Sequence, residues 1–266
     1  MRWVRYRHND KIKYGIVNDD RSISEVDTDP FQPSMQTGPK RSFEEVVLLP
    51  PVMPGTFYAV GFNYLGHTAE AADFLKADIK VPKKPDVGYR AASALIAHDE
   101  AIVIPASSSG IVQFEGELVA VIGRKTKHVS EAQALDCVLG YTIGNDVSER
   151  SWQSADRTIW RAKNSDTFKP MGPWIETNLD LEKLVTSVRL NGEEVSRFPT
   201  NRMIFGVARY ISEISSAITL HPGDVVWMGS EAPTLDMRHG DVVEIEIDGI
   251  GTLRNPVVAE NGVRAP

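Results

Sequence analysis

The chain has 266 residues, of which 42% are hydrophobic, and its 29 basic and 36 acidic residues give a formal net charge of -7. This composition is typical of a folded globular protein, and the acidic balance argues against a broad basic surface for nucleic acid. No apolar run approaches the roughly 18 residues of a membrane span, and the N-terminus lacks the apolar centre of a signal peptide. Because Cys137 is the single cysteine, no intrachain disulfide can form. We therefore expect a cytoplasmic protein with neither a membrane nor a nucleic-acid partner.

Residues 1–54 are predicted to form a small N-terminal αβ module. Trp3–Tyr6 and Lys11–Val17 have the pattern of two short strands joined by a turn. Residues 27–41 are rich in Pro, Ser, Gly and Asp and predict a loop, after which Ser42 is placed to cap a short helix. The prolines and glycine of residues 50–55 mark the end of the module.

Residues 55–266 are predicted to form the larger domain, in which short strands greatly outnumber helices. Two helices are expected, at Ser130–Leu135 and Asn201–Ile214. Because strands and helices do not alternate regularly, we predict a β-rich α+β protein, a roll or sandwich, rather than a doubly wound or barrel fold. The predicted strands are Thr56–Val60, Leu95–Ala97, Ala101–Ile104, Glu117–Ile122, Val138–Gly144, Val185–Leu190, Val225–Met228, Val242–Ile247 and Gly251–Arg254.

Three acidic residues suggest a metal site. On a strand, Glu115 and Glu117 would point to the same face, about 7 Å apart, and that face continues with the apolar Val119 and Val121. Two carboxylates entering a core repel each other and lose hydration, and a hard divalent cation would offset both costs. Asp146 ends a second predicted strand and could add a third ligand. The alternatives are that the two glutamates are solvated at the surface and that Asp146 caps a helix.

Two further segments carry residues for acid–base chemistry. Lys163 lies in an aromatic, Pro- and Gly-rich stretch and could neutralise an anionic substrate beside a metal, or it could be a solvated surface lysine. His67 and Glu70 share a face if their segment is helical, so the carboxylate could orient the imidazole as a general base. The alternative is an exposed helical pair. The sequence contains no phosphate-binding loop, His-Glu-x-x-His motif or Gly-x-Ser-x-Gly elbow.

Together these segments resemble the fumarylacetoacetate hydrolase family, in its 2-hydroxyhepta-2,4-diene-1,7-dioate isomerase-like or acylpyruvase-like branch. Their order and spacing fit the family from about residue 56 to residue 256. The segments that carry the resemblance are Gly61–Glu70, Glu115–Leu118, Gly140–Arg150, Lys163–Trp174, Pro222–Val225 and Gly240–Asn255.

The resemblance implies that residues 55–266 form a catalytic domain with a mixed β-sandwich roll, usually in a homodimer. It also implies that this domain holds Mg²⁺ or Mn²⁺, with Ca²⁺ as a substitute in a crystal. The ion would be bound by Glu115, Glu117 and Asp146. His67 and Glu70 would form a catalytic dyad on a mobile segment that orders when substrate binds, and Lys163 would polarise the substrate. The residues expected to bind substrate are Tyr64, Arg150, Gln153 and Ser230.

Two departures from the family pattern concern the substrate. The family's late Gly-Thr-Pro-x-Gly segment is replaced by residues 229–234, in which Ser230 can still donate a hydrogen bond but Glu231 adds a negative charge. A lysine that often precedes the Ser-Ala-Leu run is replaced by Arg90. Both changes leave the metal ligands in place and affect the identity of the substrate.

The resemblance implies an enzyme that acts on small acidic 2-oxo or β-diketo acids through a metal-stabilised enolate. We expect C–C bond hydrolysis of the fumarylacetoacetate or acylpyruvate type. An isomerase of 2-hydroxyhepta-2,4-diene-1,7-dioate or a decarboxylase of oxaloacetate would use the same metal site. A non-catalytic, metal-stabilised oligomeric β-domain is the alternative from another functional class.

Overall fold

The computed structural model describes residues 1–76 and 78–260. Its N-terminal region is a small antiparallel arrangement in which β1 (Arg2–His8) pairs with β2 (Lys11–Val17), as predicted. β2 then pairs with β3 (Ile23–Val26), and β3 pairs with β4 (Gln36–Arg41). The loop prediction for residues 27–41 was therefore wrong over β4. This edge strand is almost wholly exposed and forms through backbone pairing, so its sequence carries no apolar pattern.

The remaining strands carry most of the chain after the N-terminal region. In chain order they are β5 (Val47–Leu48), β6 (Phe57–Val60), β7 (Val87–Tyr89), β8 (Leu95–Ile96), β9 (Ile102–Ile104), β10 (Val112–Gln113), β11 (Gly116–Ile122), β12 (Val138–Asn145), β13 (Ser148–Glu149), β14 (Lys169–Glu176), β15 (Val185–Leu190), β16 (Glu193–Pro199), β17 (Val225–Trp227), β18 (Val242–Ile247) and β19 (Gly251–Ala259).

The helices are short and lie between the strands. The α-helices are α1 (Leu65–Leu75), α2 (Glu131–Ala134), α3 (Arg150–Ala155), α4 (Trp160–Asn164) and α5 (Val207–Ala217). Short 3₁₀ turns occur at Phe43–Glu45, Ala92–Ala94, Leu135–Cys137, Leu181–Lys183 and Thr200–Arg202. None of the helices in the described part of the chain combines the length and apolar character needed to span a bilayer.

The strands form one large mixed sheet, one smaller sheet and a two-stranded pair, β10 with β13. The large sheet has the order β4-β3-β2-β1-β14-β12-β11-β17-β6-β7, with β5 added to β1 and β8 added to β14. The smaller sheet has the order β16-β15-β18-β19-β9. β1 pairs with β14, so the N-terminal strands continue the large sheet instead of forming a sheet of their own.

The core lies on both sides of β11. Leu118 and its neighbours on one face pack against the smaller sheet through residues such as Ile245, whereas Val119 on the other face packs with Trp227. Every residue of β11 is buried. A strand covered on both faces has a nearly continuous apolar sequence, which explains the Leu118–Ile122 run. The site described below lies at the end of this central strand.

Two elements differ from the sequence prediction in ways that affect the site. The predicted helix 201–214 is instead a 3₁₀ turn followed by α5. Asn63 holds the intervening segment by accepting a hydrogen bond from the Phe205 amide at 2.9 Å and donating to the Phe205 carbonyl at 3.1 Å. β14 was not predicted because Pro170 and Pro173 disfavour a central strand. Its pairing with β12 shifts register near Pro173, which accommodates the missing N–H.

Candidate active site

Three acidic residues meet where β11 and β12 lie side by side. Glu115 precedes β11, Glu117 is its second residue, and Asp146 follows β12. The antiparallel register pairs Glu117 with Gly144, which brings these positions together from about 30 residues apart in the chain. One carboxylate oxygen of each acid lies within 4.8 Å of the others, and the residues are 3%, 2% and 1% exposed, respectively. We call Glu115, Glu117 and Asp146 the carboxylate floor.

Backbone and side-chain hydrogen bonds fix the floor. The Glu115 amide donates to Asn145 Oδ1 at 2.9 Å, and the Asp146 amide donates to the Glu115 carbonyl at 2.9 Å. The Ser148 hydroxyl is placed 3.2 Å from Glu115 Oε1. Asp146 does not cap the following helix, because Glu149 accepts the Trp152 amide at the start of α3 instead. The carboxylate of Asp146 is therefore free to lie beside those of Glu115 and Glu117.

Glu115 is held ionised by two cations. Lys163 Nζ lies 2.6 Å from one of its carboxylate oxygens, and Arg150 Nη2 lies 2.6 Å from the other. Burial alone would raise the pKa of Glu115, but Lys163 and then Arg150 lower it to about 2. Two charge-assisted contacts offset the loss of hydration, so this acid is charged across the neutral pH range.

Asp146 is surrounded by three basic side chains. Arg90 Nη2 lies 2.8 Å from the carboxylate, Lys163 Nζ lies 2.9 Å from it, and Lys169 Nζ lies 2.7 Å from it. Burial opposes the charge, yet these neighbours hold the pKa of Asp146 well below its usual range. Lys163 lies between Asp146 and Glu115 and forms an ion pair with each. Lys169 is fully buried, and this burial lowers its pKa to about 7.

Glu117 differs from the other two acids. Its carboxylate accepts the Gly229 amide at 2.8 Å, and among the described residues no lysine or arginine forms an ion pair with it. Burial, followed by the negative charges of Asp146 and Glu115, raises its pKa to about 8. Without a further cation, Glu117 is mostly protonated at neutral pH. A divalent cation at the floor would supply the missing positive charge, so the donor set fits such an ion.

His67 and Glu70 form the next layer of the site, on α1. His67 Nε2 lies 3.7 Å from Glu115 Oε1, and its Nδ1 lies 3.6 Å from Glu70 Oε2. Both separations are longer than a hydrogen bond, and Nδ1 is buried with no hydrogen-bond partner among the described residues. The imidazole is therefore positioned between the floor and Glu70, close to both carboxylates but bonded to neither.

Glu70 is fixed from the opposite side by Thr234. The Thr234 amide donates to Glu70 Oε1 at 3.0 Å, and the Thr234 hydroxyl donates to Glu70 Oε2 at 3.1 Å. Burial would raise the pKa of Glu70, but the His67 imidazole and these hydrogen bonds lower it. Glu70 is thus an anion beside the imidazole.

A cavity of about 380 Å³ opens onto the floor. Its lining includes His67, Gln153, Lys163 and Ser230 together with the three acids. A second cavity of about 230 Å³ shares His67 and Gln153 with the first, and its lining also includes Glu70 and Arg150. The larger cavity has the volume of a small-molecule site.

The structure brings most of the residues singled out in the sequence to these two cavities, but it places Tyr64 apart from them. Tyr64 is buried, and its hydroxyl donates to the Thr200 carbonyl at 2.6 Å, so it anchors the chain just before α1. The residues at the cavities are His67, Glu70, Glu115, Glu117, Asp146, Arg150, Gln153, Lys163 and Ser230.

Lys169 and Thr234 were not among the predicted site residues. Lys169 is fully buried in β14, where Asp146 is its charge partner. A lysine within the apolar run Phe168–Trp174 was the available signal, but recognising it required knowing that this proline-containing segment is a strand. Thr234 gave no signal, because its contact with Glu70 joins segments 164 residues apart.

The family described as "Fumarylacetoacetate (FAA) hydrolase C-terminal" matches residues 56–258. The chain belongs to the fumarylacetoacetate hydrolase family. A second family, described as "Rv2993c-like, N-terminal", matches residues 1–51. These matches confirm the resemblance read from the sequence, and with the strand-rich mixed sheets they confirm the predicted fold class.

Three proteins illustrate what this family member is similar to. Protein Rv2993c of Mycobacterium tuberculosis is 41% identical over 88% of this chain and 87% of its own. The mitochondrial oxaloacetate tautomerase fahd2 of Xenopus laevis is 36% identical over 82% of this chain and 70% of its own. The 2-hydroxyhepta-2,4-diene-1,7-dioate isomerase from Mycobacterium marinum is 37% identical in sequence. Its crystal structure matches this one with a TM-score of 0.87, over 98% of this chain and 99% of that chain.

Proposed function

We propose that this family member is a divalent-metal-dependent enzyme that moves a proton between the 2-oxygen and a carbon of a small 2-oxo acid. The carbon is the one beside the keto group in tautomerisation and the far end of the conjugated dienol in double-bond isomerisation. The reaction class is tautomerisation or double-bond isomerisation. The observation that carries the proposal is the carboxylate floor, where three buried acids converge and Glu117 has no cationic partner among the described residues. The adjoining cavity of about 380 Å³ has room for a small acid.

Glu115, Glu117 and Asp146 are the residues that would hold the ion. Because all three donors are carboxylate oxygens, they suit Mg²⁺ or Mn²⁺, and Ca²⁺ shares the preference for oxygen. When bound, the ion would supply Lewis acidity that stabilises negative charge developing on the keto oxygen of the substrate.

His67 is the residue that we assign to proton transfer. Its Nε2 is directed at the floor, while its Nδ1 is directed at the anionic Glu70, which in turn is held by Thr234. A neighbouring carboxylate orients an imidazole and stabilises the imidazolium that forms when it accepts a proton. The arrangement therefore gives His67 the role of general base and acid.

Lys163 and two polar residues of the larger cavity would bind the acidic substrate. The ammonium of Lys163 lies between Glu115 and Asp146, where it would also attract a carboxylate or enolate oxygen of a neighbouring substrate. Gln153 and Ser230 line the same cavity and can donate hydrogen bonds to substrate oxygens. Arg150 reaches the site from the second cavity, through Glu115.

Similarity supports proton transfer as the first candidate. The Xenopus relative is an oxaloacetate tautomerase, and the Mycobacterium marinum structure is that of an isomerase. C–C hydrolysis, expected from the sequence, is the second candidate. It is favoured by the His67–Glu70 pair, which could activate a water molecule, and by the second cavity beside it, which could receive the distal part of a β-diketo acid.

A comparison of substrates in the presence of Mg²⁺ or Mn²⁺ tests the proposal. The panel contains enol oxaloacetate, a 2-hydroxyhepta-2,4-diene-1,7-dioate-type diene and several acylpyruvates. Absorbance follows loss of the enol or diene, and product analysis separates isomerisation, hydrolysis and decarboxylation. We expect conversion of the enol or diene to be fastest, and to be lost when a chelator removes the ion.

Two results would change the assignment. Faster cleavage of acylpyruvates would make C–C hydrolysis the function. Absence of turnover with every substrate, combined with a metal-dependent rise in the melting temperature, would favour the non-catalytic metal-stabilised domain.

A further inference from the structure

The helix that carries His67 and Glu70 has no N-terminal cap of its own. Tyr64 occupies the N-cap position of α1, its side chain makes no capping hydrogen bond, and the first turn contains no acidic residue. The first N–H groups of any helix lack intrahelical acceptors, so they require a partner from elsewhere. In α1 one of these groups belongs to His67.

Glu231 supplies that partner from a neighbouring loop. Its Oε1 accepts the His67 amide at 2.9 Å and also the Ala232 amide at 2.9 Å. The helix approaches this carboxylate closely at Gly66, where a Cβ atom would overlap with Glu231 Oε1. A negative charge at this end of α1 also interacts favourably with the helix dipole.

The same loop makes two further contacts with the site. Thr234 donates two hydrogen bonds to Glu70, one turn further along α1. At the other end of the loop, the Gly229 amide donates to Glu117 in the carboxylate floor. Residues 229–234 therefore contact Glu117 in the floor and both His67 and Glu70 on α1. Within this loop, Glu231 makes the contact with His67.

We propose that Glu231 is a positioning residue that fixes His67 over the carboxylate floor by capping α1 from the adjacent loop. The catalytic consequence rests on the proposed function, whereas the capping consequence does not. From the sequence, this glutamate was expected to add a negative charge near an acidic substrate. In the structure, its carboxylate accepts a hydrogen bond from the His67 backbone amide at the start of the helix.

Three variants of the full chain test the proposal. Glu231→Ala removes the acceptor, and Glu231→Gln keeps a carbonyl oxygen that can accept the same amide. Glu260→Ala is the matched control, because Glu260 accepts the Ala106 amide at 2.8 Å in the loop after β9 and, in the described part of the chain, contacts neither α1 nor the floor. Hydrogen exchange of residues 65–75, kcat, KM and metal affinity are measured for each variant and for the wild type.

We expect Glu231→Ala to speed exchange in α1 roughly fivefold, the effect of losing one capping hydrogen bond. Its kcat should fall about tenfold because His67 is misplaced, while KM and metal affinity stay within about twofold. Glu231→Gln should restore most of both losses, and Glu260→Ala should cause neither.

Unchanged exchange in α1 of Glu231→Ala would overturn the proposal, as would a kcat that Glu231→Gln fails to restore. If the wild type turns over none of the 2-oxo acids, the proposed function fails, and exchange in α1 still decides whether Glu231 caps the helix.

Discussion

The carboxylate floor and the helix α1 face each other across the site, and they are built in contrasting ways. The floor stands on two central strands, is almost fully buried and is fixed by several backbone hydrogen bonds. The helix is a surface element in which Leu65 is 60% exposed and Phe74 is 47% exposed. It is anchored before its start by Asn63 and Tyr64 and along its side by residues 229–234.

Because of this difference, we expect metal binding and proton transfer to depend on different parts of the molecule. The three acids that could hold an ion lie in the core of the protein, where several buried basic side chains and a backbone amide hold their carboxylates. The group that we assign to proton transfer depends on a few hydrogen bonds from one loop. Changes in the floor should therefore remove metal binding together with activity, whereas changes at α1 should reduce activity and leave metal binding intact.

The largest effect is expected from Glu117→Gln. We expect turnover to fall by roughly three orders of magnitude, as when a principal electrostatic group of an active site is removed, and metal affinity to fall with it. The fold should survive, because burial and the two neighbouring acids raise the pKa of Glu117 to about 8, so glutamine resembles its neutral form. Metal titration and thermal unfolding of the ion-free protein check both parts.

Glu246→Gln serves as the control for that variant, since Glu246 belongs to a half-exposed ion pair with Arg189 on the smaller sheet. It should change neither metal affinity nor turnover. If the Glu117→Gln protein still binds Mg²⁺ and turns over substrate, Glu117 is needed neither for metal binding nor for catalysis.

His67→Ala should have the next largest effect, and it separates the two regions most directly. We expect turnover to fall by about 10²-fold or more, the usual contribution of a general acid–base group. Metal affinity should be unchanged, since the imidazole lies 3.7 Å from Glu115 and the floor keeps its own bonds. His221→Ala, in an exposed turn, is the matched control. Equal losses of metal affinity and turnover would show that the helix and the floor are not separable.

Much of the fold and of the floor could be predicted from the sequence, because both depend on local patterns. The continuous apolar run after Glu117 indicated a buried strand, and the alternation of side chains placed Glu115 and Glu117 on one face. The pattern left open whether the two glutamates are solvated or buried, and the structure shows that both are buried. β4 and β14 were missed because an exposed edge strand and a proline-containing central strand lack such a pattern.

The rest of the site depends on contacts between distant segments, which no local pattern encodes. Glu231 reaches the His67 amide across 164 residues of sequence, and Lys169 reaches Asp146 across a strand pair. Tyr64, which the resemblance implied would bind substrate, lines neither cavity, because its hydroxyl anchors the chain at Thr200. The homodimer and the domain boundary at residue 54 stay predictions, to be checked by light scattering and by limited proteolysis.

The pH dependence of metal affinity should distinguish Glu117 from the other acids of the floor. Glu115, with a pKa of about 2, and Asp146, whose pKa is lower than usual, are already ionised near neutral pH. Glu117 must lose a proton before it binds an ion, because its pKa is about 8. Affinity should therefore fall about tenfold for each pH unit below that value and level off above it.

Calorimetry in buffers of different ionisation enthalpy measures the proton released per ion from about pH 6 to about pH 9. Glu117→Gln should abolish the release. An affinity for Mg²⁺ that does not change with pH would contradict the assignment of Glu117 as the protonated ligand.

The smallest effect is expected from Thr234→Val, which removes only one of the two hydrogen bonds between the loop and Glu70. The Thr234 amide still donates to the Glu70 carboxylate at 3.0 Å, so Glu70 should stay near His67 with slightly more freedom. We expect kcat to fall about threefold, in keeping with one net hydrogen bond, and metal affinity to remain unchanged. Thr126→Val, which loses a buried hydroxyl bond to the Arg124 carbonyl far from the site, should lower stability without lowering kcat. If the two variants have the same kcat, the Thr234 hydroxyl does not position Glu70, and the amide alone connects the loop to that residue.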